Sequence, residues 1–353
     1  MATIEAVEKR RQEKMSKLWN VAVVGATGVV GSQIIEGLEE RDFPVGRITY
    51  LASPRSAGGV LEFRGKPVMV EALTLDSFAG IDIAFFCAGG ERSREFCPAA
   101  VKAGAVCIDN SSAWRMDPEV PLVVPEVNPH ALAGYRTKGI VASPDCSAIQ
   151  LVVALKPLHD YAVIRRAVVS TYQAVSGSGR RAIAELEQQV RQLLQGKSVE
   201  ADVYPHRIAF NCLPQIDAFD DNGSTKQELR IVNETRKILA AEIRITATCV
   251  RVPVFFGHCE SVNIETERKL TAAKARDLLA AAAGVELADD PADGLYPMPI
   301  DAAGQDLVLV GRVREDESIG NGLNLWVAAD NIRKGAATNA VQIAELLVED
   351  CLG

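Results

Sequence analysis

The chain has 353 residues, 48% hydrophobic and 24% charged, which exceeds the size at which one hydrophobic core usually stops growing, so two domains are expected and a disordered chain is excluded. A formal charge of −8 argues against a nucleic-acid partner or an anionic membrane surface, while leaving room for a local basic pocket that takes a phosphorylated small molecule. Eight cysteines without a CxxC pair, four histidines without ligand spacing and no apolar run near the roughly 20 residues of a membrane span predict a soluble, metal-free protein of a reducing cytoplasm.

Residues 1–18, MATIEAVEKRRQEKMSKL, are charged and lack the apolar centre of a secretion signal; Met15 reads as an alternative start, or the segment as a frayed helical arm. Next, WNVAVVGATGVVGSQIIEGLEE passes from β-branched residues through glycine to helical periodicity, which predicts a strand, a turn and a helix. Its glycines at 25, 28 and 31 form a GxxGxxG turn. The backbone of Gly25, Thr27, Gly28, Val29 and Val30 could approach a pyrophosphate there, aided by a helix N-terminus near Val29; a tight turn without a ligand is the alternative. A second strand, ITYLA (48–52), runs into SPRSAGG with no carboxylate to bind ribose hydroxyls. Arg55 and Ser56 suit the 2′-phosphate of NADP, unless Arg55 is only a solvated turn residue.

Further apolar runs at 81–88, 105–110 and 139–144, with a helical segment at 91–104, predict an α/β fold: a Rossmann-type dinucleotide-binding domain with a mostly parallel sheet over residues 19–145. Beyond it, longer strand-like runs at 164–176, 245–255 and 306–316 alternate with amphipathic helices. These predict an α+β catalytic and dimerisation domain with a mostly antiparallel sheet over 146–325, and a C-terminal helix over 326–353 that returns to the first domain. Cys146 opens CSAIQLVVALKPLHD, whose apolar spacing is helical until Pro157. A helix N-terminus there would stabilise a thiolate and a developing oxyanion. His258 follows Gly257 at the end of a strand, which would deliver an imidazole able to trade protons to the sheet edge; spacing alone does not join it to Cys146.

Six ordered segments resemble the aspartate-semialdehyde dehydrogenase family: VAVVGATGVVG, ITYLASPRSAG, IDNSSAWRMDPEVPLVVPEVN, VVSTYQAVSGSG, VRVPVFFGHCESVNIE and NGLNLWVAADNIRKGAATNAVQIAE. The resemblance runs from about residue 19 to the C-terminus. It implies that Cys146 attacks the acyl carbon of 4-phospho-aspartate, that a thioester is reduced by NADPH to aspartate semialdehyde, and that His258 is the acid/base. By the same resemblance Gln173 positions the substrate, Arg251 grips its α-carboxylate, Arg115 and Arg230 bind phosphate, and Ser176, Gly177 and Asn331 lie near the cofactor. A homodimer is implied as well. A related acyl-phosphate reductase, such as the N-acetyl-glutamyl-phosphate enzyme, or a non-catalytic paralogue acting as a binding partner, is the alternative.

Two positions depart from that family. Asp145 stands before the nucleophile where asparagine is usual, and its charge would oppose a thiolate unless it is protonated, paired, or turned outward as a helix cap. Gln227 stands where an acidic residue commonly meets the substrate amino group. Either its carbonyl keeps that contact or Glu228 takes it over.

Overall fold

The computed structural model describes residues 17–352, so the expectations placed on residues 1–16 lie outside the described residues. The chain divides into two compact units, residues up to 144 with 336–353, and residues 145–335.

In the first unit, strand β1 (Trp19–Val24) leads through the glycine turn into helix α1 (Val29–Glu40) and then strand β2 (Val45–Ala52). Strands β3 (Val60–Phe63) and β4 (Lys66–Ala72), β5 (Ile83–Phe86), helix α2 (Gly90–Lys102), β6 (Val106–Asp109) and β7 (Ile140–Ala142) complete a seven-stranded sheet of order β3-β4-β2-β1-β5-β6-β7. All neighbours pair in parallel except β3 and β4, an antiparallel hairpin that the sequence reading did not resolve because its residues are largely exposed and only loosely alternating. Strands β1, β5, β6 and β7 are buried almost throughout, as their apolar runs require, whereas β2 is exposed at Gly46 and Arg47 and β4 along most of its length. The C-terminal helix Thr338–Leu346 places Val341, Ile343 and Ala344, and Leu347 just after it, in the same core as Ile34, Leu38 and Tyr50. Each large side chain buried this way contributes about 2 kcal/mol.

The second unit opens with helix α3 (Cys146–Ala162), followed by β8 (Ile164–Gln173), helix α4 (Arg180–Leu194), helix α5 (Lys226–Leu239), β9 (Arg244–Arg251) and β10 (His258–Thr266). Helix α6 (Ala272–Ala280) and strands β11 (Val285–Leu287), β12 (Val308–Asp316) and β13 (Gly322–Ala329) follow, giving a six-stranded sheet of order β11-β12-β13-β10-β8-β9. Three of its five pairings are antiparallel, and β11–β12 and β8–β9 are parallel.

Three sequence expectations need correction. A boundary at 326 would cut β13, whose pairing with β10 and β12 carries the unit to residue 335. Helix α3 continues through Pro157 to Ala162, because its residues from Ser147 to Leu155 are nearly all buried and that packing outweighs one lost backbone hydrogen bond. The strand expected over 245–255 ends at Arg251, and His258 begins the next strand, β10, which lies inside the sheet between β13 and β8 rather than at its edge. Gly257 makes this entry possible. Its φ of +84° and the 2.5 Å between an added Cβ and the Pro299 carbonyl leave no room for a side chain.

Candidate active site

Cys146 is the first residue of α3, and Asp145 is its N-cap, accepting a hydrogen bond from the Ser147 amide. The same Asp145 oxygen lies 3.7 Å from the Cys146 sulfur, so the carboxylate both caps the helix and reaches the thiol. The Asp145 amide donates to Glu234 of α5 at 2.6 Å. From α5, Gln227 Nε2 donates to Asp145 Oδ1 at 2.7 Å, while its carbonyl accepts from Arg230 at 3.2 Å, and Arg230 pairs with Asp217 at 2.5 Å. A Cβ on Gly335 would stand 2.8 Å from that of Cys146, so no larger residue fits beside the nucleophile.

Glu228 is committed elsewhere. It closes the capping box of α5 with Thr225 and accepts from the Cys249 amide of β9, so it is not the substitute contact that the sequence left open. Gln227 is buried with both ends of its amide engaged, and the amide bridges Asp145 to Arg230 instead of lying open for an ammonium group.

The ends of three sheet strands supply Gln173, Arg251 and His258. His258 is fully buried, and its Nδ1 accepts from the Ala174 amide at 3.1 Å, which places the proton of the neutral ring on Nε2. Burial, and then the Arg251 charge, hold the imidazole well below its usual pKa. Arg251 donates to the Ala174 carbonyl at 2.6 Å and lies 5.9 Å from the Tyr204 ring, but its buried Nε has no partner. Among the described residues no carboxylate pairs with it, so its free donors suit an acidic ligand. Gly177 lies tight against both, since an added Cβ would stand 3.1 Å from the Arg251 guanidinium and 3.3 Å from His258 Nε2 and one of them would have to shift. Asn331 accepts from the Ser176 hydroxyl and the Gly257 amide, leaving its own buried Nδ2 without a partner. Gln173 donates to Thr171 at 3.2 Å. The second unit therefore gathers Cys146, Gln173, Ser176, Gly177, Gln227, Arg251, His258 and Asn331 around the start of α3 and the ends of β8, β9 and β10.

Sequence reasoning missed Glu260. It is fully buried on β10, with Gln150 of α3 as its polar neighbour. Burial, then the Asp145 charge, push its carboxyl well above the usual range, so the folded protein holds it protonated where the unfolded chain would ionise it. A folded-state pKa raised in this way costs stability as pH rises above about 4.5, by about 1.4 kcal/mol for each pH unit between the two values. Glu260→Gln is therefore expected to leave urea stability near that of the parent at pH 4.5 and to exceed it at pH 8; equal stability at both values would contradict a protonated Glu260.

In the first unit, Gly28 caps α1 without any side-chain acceptor, and no acidic residue occupies the first turn, so the N–H groups opening the helix remain suited to an anion. Gly25 has φ +90° and Gly31 would place a Cβ 2.2 Å from the Gly25 carbonyl, so the turn is closed tightly enough for a pyrophosphate to approach backbone. Arg55 is exposed and forms no ion pair among the described residues, and Ser56 donates its amide back to Ser53 within the same turn. Thr27, Val29 and Val30 lie at this helix start. Arg115 is buried and held by the carbonyls of Ser143 at 2.9 Å and Asn110 at 2.8 Å.

Residues 155–334 match the family model described as semialdehyde dehydrogenase, dimerisation domain, and residues 20–135 match the model described as semialdehyde dehydrogenase, NAD binding domain. The chain belongs to the semialdehyde dehydrogenase family. Within it, an aspartate-semialdehyde dehydrogenase of Aquifex aeolicus is 56% identical over 337 residues, covering 95% of this chain and 99% of that protein. The crystal structure of aspartate semialdehyde dehydrogenase II from Vibrio cholerae superposes with a TM-score of 0.93 at 50% identity, covering 95% of this chain and 99% of the other. The same Vibrio cholerae enzyme has also been crystallised with ASA. The two units of this semialdehyde dehydrogenase correspond to those domains, an NAD(P)-binding α/β unit and a dimerisation unit with a mixed sheet.

Proposed function

We propose that this semialdehyde dehydrogenase reduces 4-phospho-L-aspartate to L-aspartate 4-semialdehyde with release of phosphate, using NADPH and Cys146 as nucleophile. The observation that carries the reading is Cys146 as the first residue of α3, in a unit that also holds a buried arginine without an ion pair among the described residues and a buried histidine held neutral. The similarity to aspartate-semialdehyde dehydrogenases over nearly the whole chain supports the choice of substrate.

Cys146 attacks the acyl carbon, the acyl–oxygen bond breaks, and phosphate leaves while a thioester forms. The first-turn amides of α3 stabilise the thiolate before this step and the oxyanion during it. Arg251 binds the α-carboxylate through the donors it has free, and Gln173 holds the substrate chain in line. Arg115 and Arg230 neutralise the leaving phosphate. The reduced nicotinamide, when bound, supplies a hydride to the thioester carbon. His258 keeps its proton on Nε2 and donates a hydrogen bond to the oxyanion left by hydride addition; the carbon–sulfur bond then breaks, giving the aldehyde and a Cys146 thiolate that the first-turn amides of α3 stabilise.

The glycine turn from Gly25 to Val30 would hold the pyrophosphate, Arg55 and Ser56 the 2′-phosphate that distinguishes NADP from NAD, and Ser176, Gly177 and Asn331 the nicotinamide half. Homodimerisation would use the dimerisation unit, where Val168, Ser170 and Tyr172 of β8 alternate with buried residues and the exposed Tyr172 packs on Trp326 with ring centroids 5.3 Å apart.

The test is the reverse reaction. Aspartate semialdehyde should reduce NADP+ only when phosphate is present, and faster than it reduces NAD+. Turnover without phosphate, or a preference for N-acetyl-glutamate semialdehyde, would contradict the substrate assignment.

A further inference from the structure

We propose that Gln227 and Asp145 are a positioning pair for the Cys146 nucleophile, in which the amide of Gln227 holds the carboxylate of Asp145 so that one side chain can cap the helix and border the sulfur. The proposal rests on Cys146 being the nucleophile. It departs from a role for Gln227 in gripping substrate.

One Asp145 oxygen makes all three contacts that matter: the Ser147 amide at 3.1 Å, the Gln227 amide at 2.7 Å and the Cys146 sulfur at 3.7 Å. An anion so close to a thiolate opposes its formation unless neighbouring donors spread the charge. Gln227 is such a donor, and it is held in turn: its carbonyl accepts from Arg230, which Asp217 anchors at 2.5 Å. The result is a line from Asp217 through Arg230 and Gln227 to Asp145, conveying part of a cationic influence toward the sulfur without placing a cation there. Gln227 is buried, so breaking the line cannot be repaired cheaply by water.

The other titratable groups around Asp145 make the bridge more necessary. Glu234 of α5 accepts from its backbone amide, and Glu260 of β10 feels its charge. On β9, Cys249 is pushed up to about 12, first by burial and then by several carboxylates that include Asp145, while Arg251 and, through Gln227, Arg230 bring positive charge. A second carboxylate at position 227 would face that of Asp145 across 2.7 Å with no hydrogen between them.

This asymmetry gives a rescue experiment. Alkylation of Cys146 by iodoacetamide is followed against pH in the substrate-free protein, where substrate binding cannot contribute, and kcat and KM are measured in parallel. Gln227→Glu is expected to raise the alkylation midpoint by one pH unit or more and to lower kcat at least tenfold. Adding Asp145→Asn should return both to within about threefold of the parent, since asparagine can donate to the new carboxylate while still accepting from Ser147. Gln227→Met, which removes the donor without adding charge, should move the midpoint in the same direction as Gln227→Glu. An unchanged alkylation profile in both Gln227 variants, with only KM raised, would overturn the positioning role in favour of substrate contact. A double variant no better than Gln227→Glu would overturn the pairing. If Cys146→Ser retained turnover, the reaction assigned to Cys146 would fail, whereas the alkylation profiles would still report on the pair.

Discussion

Cys146→Ser is expected to lower turnover by about four orders of magnitude or more while leaving the fold intact. The reason lies in the atom replaced. A thiol at a helix N-terminus ionises within reach of neutral pH, whereas a hydroxyl at the same place does not, and Asp145 at 3.7 Å gives no basic partner to compensate. His258 does not rescue the hydroxyl either. Its Nδ1 is occupied by the Ala174 amide and its Nε2 carries the proton, so the neutral ring offers a donor where a serine would need an acceptor. The substitution changes one atom in a position bordered by Gly335, so steric disturbance is small. Steady-state rates over a substrate series, with thermal unfolding of both proteins, check the result. Retention of even a hundredth of the parental rate would be incompatible with sulfur as the nucleophile.

The second large effect is expected at Arg251. Its guanidinium is buried, donates once to the Ala174 carbonyl and, among the described residues, keeps its Nε without a partner, and the proposed reading gives it the substrate carboxylate as acceptor and opposite charge. Arg251→Leu should raise KM and lower kcat/KM by about a hundredfold to a thousandfold, the size expected when one partner of a buried charge pair is removed. Arg251→Lys keeps the charge but loses the fork, and should recover only part of the loss. The Arg251 charge also contributes to holding His258 neutral. Removing it in Arg251→Leu should therefore shift the acidic limb of the kcat profile toward higher pH, a change that Arg251→Lys should not show. Equal kcat/KM in parent and Arg251→Leu would remove Arg251 from the substrate site.

What was legible in the sequence was mostly local. The strand, glycine turn and helix at 19–40 and the cysteine at a helix start are each written within a few consecutive residues, and the structure forms both. The hairpin β3–β4 was not legible, because half-exposed strands carry no strong apolar alternation. His258 looked like the end of one strand because GHCE follows an apolar run; the chain instead turns between Arg251 and His258, and only pairing with β13 and β8 shows that a new strand has begun. Long-range contacts were the least visible. Gln227 and Asp145 are 82 positions apart, so two residues that look like separate oddities in the sequence meet as donor and acceptor. Glu260 escaped for a similar reason: a glutamate in a strand reads as a solvent-facing residue until its neighbours are seen to bury it completely.

The central claim is a covalent acyl group on Cys146, and it can be caught by withholding the reductant. The protein should be mixed with 4-phospho-aspartate in the absence of NADPH, phosphate followed on the first turnover, and the quenched protein weighed and digested. The expected result is a burst of about one phosphate per subunit together with an acyl adduct that maps to the peptide beginning at Cys146 and disappears when NADPH is added. Phosphate release without an adduct, or an adduct on any other residue, would contradict the account.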